Sequence, residues 1–188
     1  MKLYFIRHGE IDANIIKGGS EKLNKTGKKQ LKYLSDYLKD IPIDLIITSD
    51  LERALDTAKH LHKYYPKAEF IVRPELREIY RVLIGGPPKD HVSSETKKED
   101  KKRMDSFWEE LKKMKYDNIA VVCHAHVIRY MIGKVVKITN KDLWKVVIDN
   151  CSLTEIEVVK GKAFLVSVDE HRHVKDNSRI GHYNMYAD

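Results

Sequence analysis

Short apolar runs alternate along this chain with longer segments of helical period, and that alternation constrains the fold more than any other feature. Strands are expected at 2–6, 44–48, 69–72 and 119–123. The run Ile119-Ala120-Val121-Val122-Cys123 is apolar without a break, the pattern of a strand buried on both faces. Between the strands, residues 26–39 place Leu31, Leu34 and Leu38 on one helical face with lysines opposite. A second helix is expected from Leu51 to about Tyr64, capped by Asp50, with Leu51, Ala54, Leu55, Ala58 and Leu61 as its apolar stripe. A third spans about 97–114 through Met104, Phe107, Trp108, Leu111 and Met114, and a fourth runs from about His126 to Lys134. The C-terminal part reads as a hairpin, 152–159 and 163–168, turned at Lys160-Gly161. Strands separated by helices predict an α/β fold: a three-layer α/β/α sandwich with a mostly parallel central sheet.

A chain of 188 residues suits a single domain over 1–188. Two cysteines do not make a disulfide framework, and Cys123 and Cys151 read as small buried hydrophobes, which fits a reducing, cytoplasmic setting. No apolar run approaches the ~18 residues that span a bilayer, and no signal peptide is read before Arg7, so no membrane association is expected. The formal net charge is +7, and residues 1–39 hold nine basic against four acidic residues. The run 95–103 mixes signs and reads as the wet face of a helix. The stretch 81–96, with Gly85-Gly86-Pro87-Pro88, is the longest without a periodic pattern and is expected to shape one rim of a pocket.

In open α/β sheets ligands bind beyond the carboxyl ends of the strands. The first strand is followed by Arg7-His8-Gly9-Glu10, the second by Ser49-Asp50-Leu51-Glu52-Arg53, the third by Arg73-Pro74-Glu75-Leu76-Arg77-Glu78 and the fourth by His124-Ala125-His126. Two histidines, several arginines and a glutamate thus converge on one edge. That set suits phosphoryl transfer. Arginine offers phosphate a bidentate fork, a neutral imidazole can attack phosphorus, and a carboxyl group can protonate the leaving alkoxide.

Arg7-His8-Gly9-Glu10 directly after a first strand resembles the signature of the histidine phosphatase superfamily, the phosphoglycerate mutase-like fold. Residues 48–58, Leu76-Arg77-Glu78 and residues 121–125 are similar to that family's second arginine block, acid block and second histidine block, in the same order. The resemblance implies a metal-independent phosphoric monoester hydrolase with no cofactor. His8 matches the nucleophile that carries a phosphohistidine. Arg7, Arg53 and His124 match the groups that grip the phosphate oxygens, Glu78 the proton donor, and Asn14 a frequent phosphate-pocket asparagine. More finely, residues 123–130, the Pro-Pro loop and residues 149–154 look like the mitochondrial phosphoglycerate-mutase-like protein phosphatase of the superfamily. Ile11 departs from the Thr or Ser that commonly follows the glutamate, which leaves the substrate open between a phosphorylated small molecule and a phosphoprotein.

Two other readings compete. A phosphoglycerate or phosphosugar mutase would use the same residues but return the phosphate to product. A non-catalytic anion or nucleic-acid binding domain would explain the +7 charge, but Tyr33 and Tyr37 sit among the leucines of their helix instead of offering a stacking face, so no nucleic-acid partner is expected. Glu170-His171-Arg172-His173 offers no third metal ligand nearby, and no metal site is expected. His126 reads as a helix residue and Arg129 as structural. The sequence leaves oligomeric state open, although dimers are common in the family and a homodimer is compatible with it.

Overall fold

The computed structural model describes residues 1–12, 22–87 and 92–175. Six strands form one sheet: β1 (Lys2–Arg7), β2 (Leu45–Thr48), β3 (Glu69–Val72), β4 (Asn118–Cys123), β5 (Leu153–Val159) and β6 (Lys162–Glu170). Their order is β3-β2-β4-β1-β5-β6. The first four are mutually parallel, and β5 and β6 run antiparallel to the strands beside them. The helices are α1 (Lys25–Leu38), α2 (Glu52–His62), α3 (Ser94–Leu111), α4 (Ala125–Val135) and the short α5 (Asn140–Trp144).

Side-chain alternation along the central strands builds two cores. Leu3, Phe5, Leu45, Ile47, Ile119 and Val121 face one way and meet Met104, Phe107, Trp108 and Leu111 of α3 and Ile128 and Met131 of α4. Tyr4, Ile6, Ile46, Ala120 and Val122 face the other way and meet Leu31, Leu34 and Leu38 of α1 and Ala54, Ala58 and Leu61 of α2. Burial on both faces explains the unbroken apolar run of β4. The expected α/β/α sandwich with a mostly parallel sheet is the fold observed.

Some boundaries and details differ. Asp50 does not cap α2. The N-cap is Leu51, without a side-chain bond, and the Asp50 carboxylate instead accepts from Arg77 at 2.8 and 2.6 Å. The supposedly patternless 81–96 contains a 3-10 helix, Arg81–Ile84, and the first turn of α3. Its Gly85 (φ 78°) packs so closely on α5 that a Cβ would lie 2.3 Å from the Asn140 carbonyl oxygen. Tyr37 is 42% exposed and not a core residue; its ring stacks on His173. The hairpin turns at Lys160 and Gly161, both with positive φ (49° and 76°), the twist that two-residue hairpin loops favour. No helix among the described residues is long and apolar enough to cross a membrane. Cys123 and Cys151 are buried free thiols.

Candidate active site

Strand register brings the two histidines together. In the β1–β4 ladder Arg7 is the partner of Cys123, so His8 and His124 each follow directly on neighbouring strand ends. The His8 amide still reaches the Cys123 carbonyl at 3.1 Å. The two rings meet edge to face, centroids 5.2 Å apart. In the β2–β4 ladder Thr48 partners Val122, which sets Ser49 beside His124.

His8 is 5% exposed. Its Nδ1 lies 2.8 Å from the Gly9 carbonyl oxygen. A carbonyl only accepts, so the proton sits on Nδ1 and the lone pair on Nε2. Arg53, in the first turn of α2, donates its Nε–H to that Nε2 at 3.2 Å. Burial, then the neighbouring His124 and Arg7, hold the His8 pKa well below the ordinary histidine value despite the Gly9 carbonyl. His8 is therefore a neutral imidazole with its lone pair turned toward a guanidinium.

His124 is fully buried. Its Nε2 lies 3.0 Å from Ser49 Oγ, and that oxygen already accepts from the Leu51 amide at 3.3 Å. A Ser49 hydroxyl proton donated to His124 Nε2 would put the ring proton on Nδ1. Nδ1 has no hydrogen-bond partner among the described residues. Burial is the largest cause of a pKa lowered to about 4, against the opposing pull of Glu78. With its proton there, an Nδ1 left without a partner on a neutral buried ring is suited to an anionic oxygen.

The loop bearing His8 is docked on α1. Asn24 caps α1 by accepting from the Gly27 amide at 2.7 Å, and its Nδ2 donates to Glu10 Oε1 at 2.9 Å. The Glu10 amide donates to Gln30 Oε1 at 2.9 Å. A Cβ on Gly27 would lie 2.1 Å from the Glu10 carbonyl oxygen, so only glycine permits this approach. Thr57 Oγ1 accepts from the Gly9 amide at 3.1 Å, and Asn150 Nδ2 donates to the His8 carbonyl at 2.8 Å. Arg7 Nη1 donates to the Ile148 carbonyl at 2.6 Å.

Glu78 lies between the 3-10 helices Pro74–Leu76 and Arg81–Ile84. Its carboxylate covers the N-terminus of α4. Oε1 accepts from the Val127 amide at 3.3 Å and from Ile79 at 3.1 Å; Oε2 accepts from the His126 amide at 3.4 Å. The α4 N-cap residue, His124, supplies no side-chain cap of its own, so Glu78 does that work across the chain. Burial raises its pKa, but His126, His124 and the amide donors outweigh that and hold it below the ordinary glutamate value. On the other side α3 fixes the same segment: Arg103 Nη1 donates to the Glu75 and Arg77 carbonyls at 2.5 and 2.9 Å. Arg103 and Asp100 belong to the run expected to be a wet helix face, and they hold the acid segment instead.

The structure thus brings Arg7, His8, Arg53 and His124 together at the carboxyl ends of β1, β2 and β4, both arginines acting on both histidines and Glu78 acting on His124. Asn14 lies outside the described residues. Ser49, Thr57, Asn150, Asn24 and Gly27 were not singled out from sequence. Elsewhere, the fold does bring further ligands to the 170–173 tract, contrary to the expectation that none lies nearby: Asp149, Asp169 and His171 offer donor atoms within 4.8 Å of one another. His171 Nδ1 lies 3.0 Å from an Asp169 carboxylate oxygen and 3.7 Å from one of Asp149. Arg129 is buried and donates to the Val146 carbonyl at 2.6 Å.

Comparison with known proteins agrees with this fold. The family model "Histidine phosphatase superfamily (branch 1)" matches residues 3–95 and 84–171. A protein of Hydrogenobacter thermophilus named "Putative phosphoserine phosphatase 2" is 24% identical over 93% of this chain and 98% of its own length. A "Probable phosphatase" of Schizosaccharomyces pombe is 29% identical over 85% of this chain and 88% of its own. Among solved structures, the alpha-ribazole phosphatase of Shigella flexneri superposes with a TM-score of 0.73 at 24% identity, covering 91% of this chain and 97% of that one.

Proposed function

Because the chain belongs to the histidine phosphatase superfamily (branch 1), we propose that it hydrolyses phosphomonoesters through a phosphohistidine formed on His8, with Glu78 as proton donor. The observation that carries this reading is the state of His8. Its Nδ1–H is committed to Gly9 and its Nε2 lone pair faces Arg53.

The phosphoryl group takes the place of the lone pair as the partner of Arg53. Arg7 and Arg53 balance its charge, and His124 Nδ1 donates to one of its oxygens. His8 Nε2 then bonds to phosphorus as the ester P–O bond breaks. Glu78 gives its proton to the departing oxygen. In the free protein Glu78 is ionised, since its pKa is lowered. A bound phosphate brings negative charge beside it and raises that pKa, so substrate arrival loads the acid. In the second half Glu78 takes a proton from water, the water oxygen bonds to phosphorus, the N–P bond breaks and inorganic phosphate leaves. The Gly9 carbonyl stabilises the positive ring of phospho-His8 through Nδ1–H.

Protein side chains supply all the positive charge in this scheme, so chelation should leave the rate unchanged. The substrate is a phosphorylated small molecule or a phosphoprotein. The name carried by the Hydrogenobacter relative makes phosphoserine the first ester to assay. Release of inorganic phosphate from p-nitrophenyl phosphate and phosphoserine in the presence of EDTA is the test. Hydrolysis that survives EDTA and vanishes in His8→Asn supports the proposal. An isomerised phosphoester formed without free phosphate would make the protein a mutase.

A further inference from the structure

The local backbone holds the Glu78 side chain only through the Ile79 amide, at 3.1 Å, and the residue sits in an irregular stretch between two 3-10 helices. The partner that joins this stretch to α4 twice is His126. Its backbone amide reaches Glu78 Oε2 at 3.4 Å, and its Nδ1 lies 3.0 Å from the Ile79 carbonyl oxygen. The ring proton is thus on Nδ1, donated to the residue next to the acid. The imidazole is also held from behind. The Trp144 ring is tilted against it, centroids 5.7 Å apart. That indole is itself confined: the Arg129 guanidinium carbon lies 5.4 Å from its centroid, and a Cβ on Gly86 would come within 2.7 Å of Trp144 Cε3. The ring of His126 thus lies between the Trp144 indole and the Ile79 carbonyl.

We propose that His126 is the positioning residue for the acid: by pinning the Ile79 carbonyl to the first turn of α4, it keeps the Glu78 carboxyl aimed at the ester oxygen. This rests on the reading of Glu78 as proton donor. The step it serves is the one in which His8 Nε2 bonds to phosphorus, the P–O ester bond breaks and the Glu78 proton passes to the leaving oxygen. The His126 ring makes its hydrogen bond to the Ile79 carbonyl and not to the carboxyl itself, from whose Oε2 its Nδ1 lies 3.8 Å away.

The role can be separated from a purely structural one by the leaving group. p-Nitrophenolate departs without needing a proton, whereas phenolate from phenyl phosphate gains much more from one. The two esters are of nearly the same size, and kcat/KM reports the step that forms phospho-His8. His126→Ala removes the donor, and His126→Gln carries its donor one bond too far out. His126→Asn places an amide N–H where Nδ1 was. In the Ala and Gln variants kcat/KM for phenyl phosphate should fall about tenfold or more while that for p-nitrophenyl phosphate changes less than about twofold. His126→Asn should stay near the parent for both esters. Should the Ala variant fail to fold, the Asn and Gln pair makes the same comparison.

Equal losses on both esters, or none on either, would overturn the proposal. Glu78→Gln measured alongside separates the two claims. A leaving-group-dependent loss in Glu78→Gln without one in His126→Ala or His126→Gln rejects the role of His126 and keeps the acid. Equal losses on both esters in Glu78→Gln reject the acid, and the role of His126 with it.

Discussion

The Arg53 Nε–H points at His8 Nε2 across 3.2 Å, so a permanently charged group faces the lone pair of a buried neutral imidazole. A guanidinium in that place opposes protonation of the ring and offers the first donor an arriving phosphate meets. Arg53→Ala should therefore lower kcat/KM for p-nitrophenyl phosphate about a hundredfold. Arg53→Lys should recover only part of it, since an ammonium lacks the planar fork. Parental activity in Arg53→Ala, measured by steady-state kinetics, would remove Arg53 from the site.

Ser49 tests the tautomer of His124. Donation from its hydroxyl to His124 Nε2, 3.0 Å away, would place the His124 proton on Nδ1. Nitrogen-15 NMR of the parent should show His124 as the Nδ1–H form at pH 7.5. Ser49→Ala should populate the other tautomer and cut kcat/KM about tenfold, the equivalent of one hydrogen bond's net worth. An unchanged tautomer in Ser49→Ala would mean that Ser49 does not set it.

Gly27 is in the first turn of α1, where helix propensity by itself predicts that alanine would stabilise by about 1 kcal/mol. Contact with the His8 loop reverses the sign, because the new Cβ would lie 2.1 Å from a backbone oxygen that belongs to Glu10. Gly27→Ala should destabilise by about 2 kcal/mol or more in urea unfolding. It should also lower activity, since the clash displaces the loop that carries His8. A stabilised Gly27→Ala would show that α1 and this loop do not pack as described.

Buried neutral histidines make stability depend on pH. His124 has a folded-state pKa of about 4, and that of His8 is also well below the ordinary value. An unfolded chain takes up these protons near about pH 6.5, so below that pH the unfolded state binds more protons than the folded one. The contribution is complete above the unfolded pKa and is lost as pH falls from there toward the folded pKa. For His124 the loss across that window is about 3 kcal/mol. Urea midpoints should drop between pH 7.5 and pH 4.5, and His124→Gln should flatten the decline. The same slope in parent and variant would show that His124 is not held neutral.

What could be read in the sequence was the part governed by repetition or by strand ends. The unbroken apolar run of β4 marked a doubly covered strand, and the charged residues after β1, β2 and β4 met where such strands end. Single polar groups escaped notice because neither a period nor a spacing marks them. Ser49 reaches His124 only through the β2–β4 register, and Asn150 reaches the His8 carbonyl from a loop 142 positions away. Arg103 looked like one more cation on a wet helix, yet it holds the Glu75 and Arg77 carbonyls. Asp50 had the right type and place for a cap but lost to the pull of Arg77. The five-residue α5 was too short to show a period, although its Trp144 helps seat His126.

The central claim is that phosphate passes through His8. Rapid acid-free quenching of the protein with p-nitrophenyl phosphate, followed by phosphorus-31 NMR and peptide mapping, tests it directly. Glu78→Gln is the variant to use, because loss of the base that activates water slows release of phosphate from the ring. The account predicts an acid-labile, base-stable phosphoryl group on Nε2 of His8, approaching one per chain and absent in His8→Asn. Turnover with no covalent phosphate at any time, or a phosphoryl group carried by another residue, would contradict it.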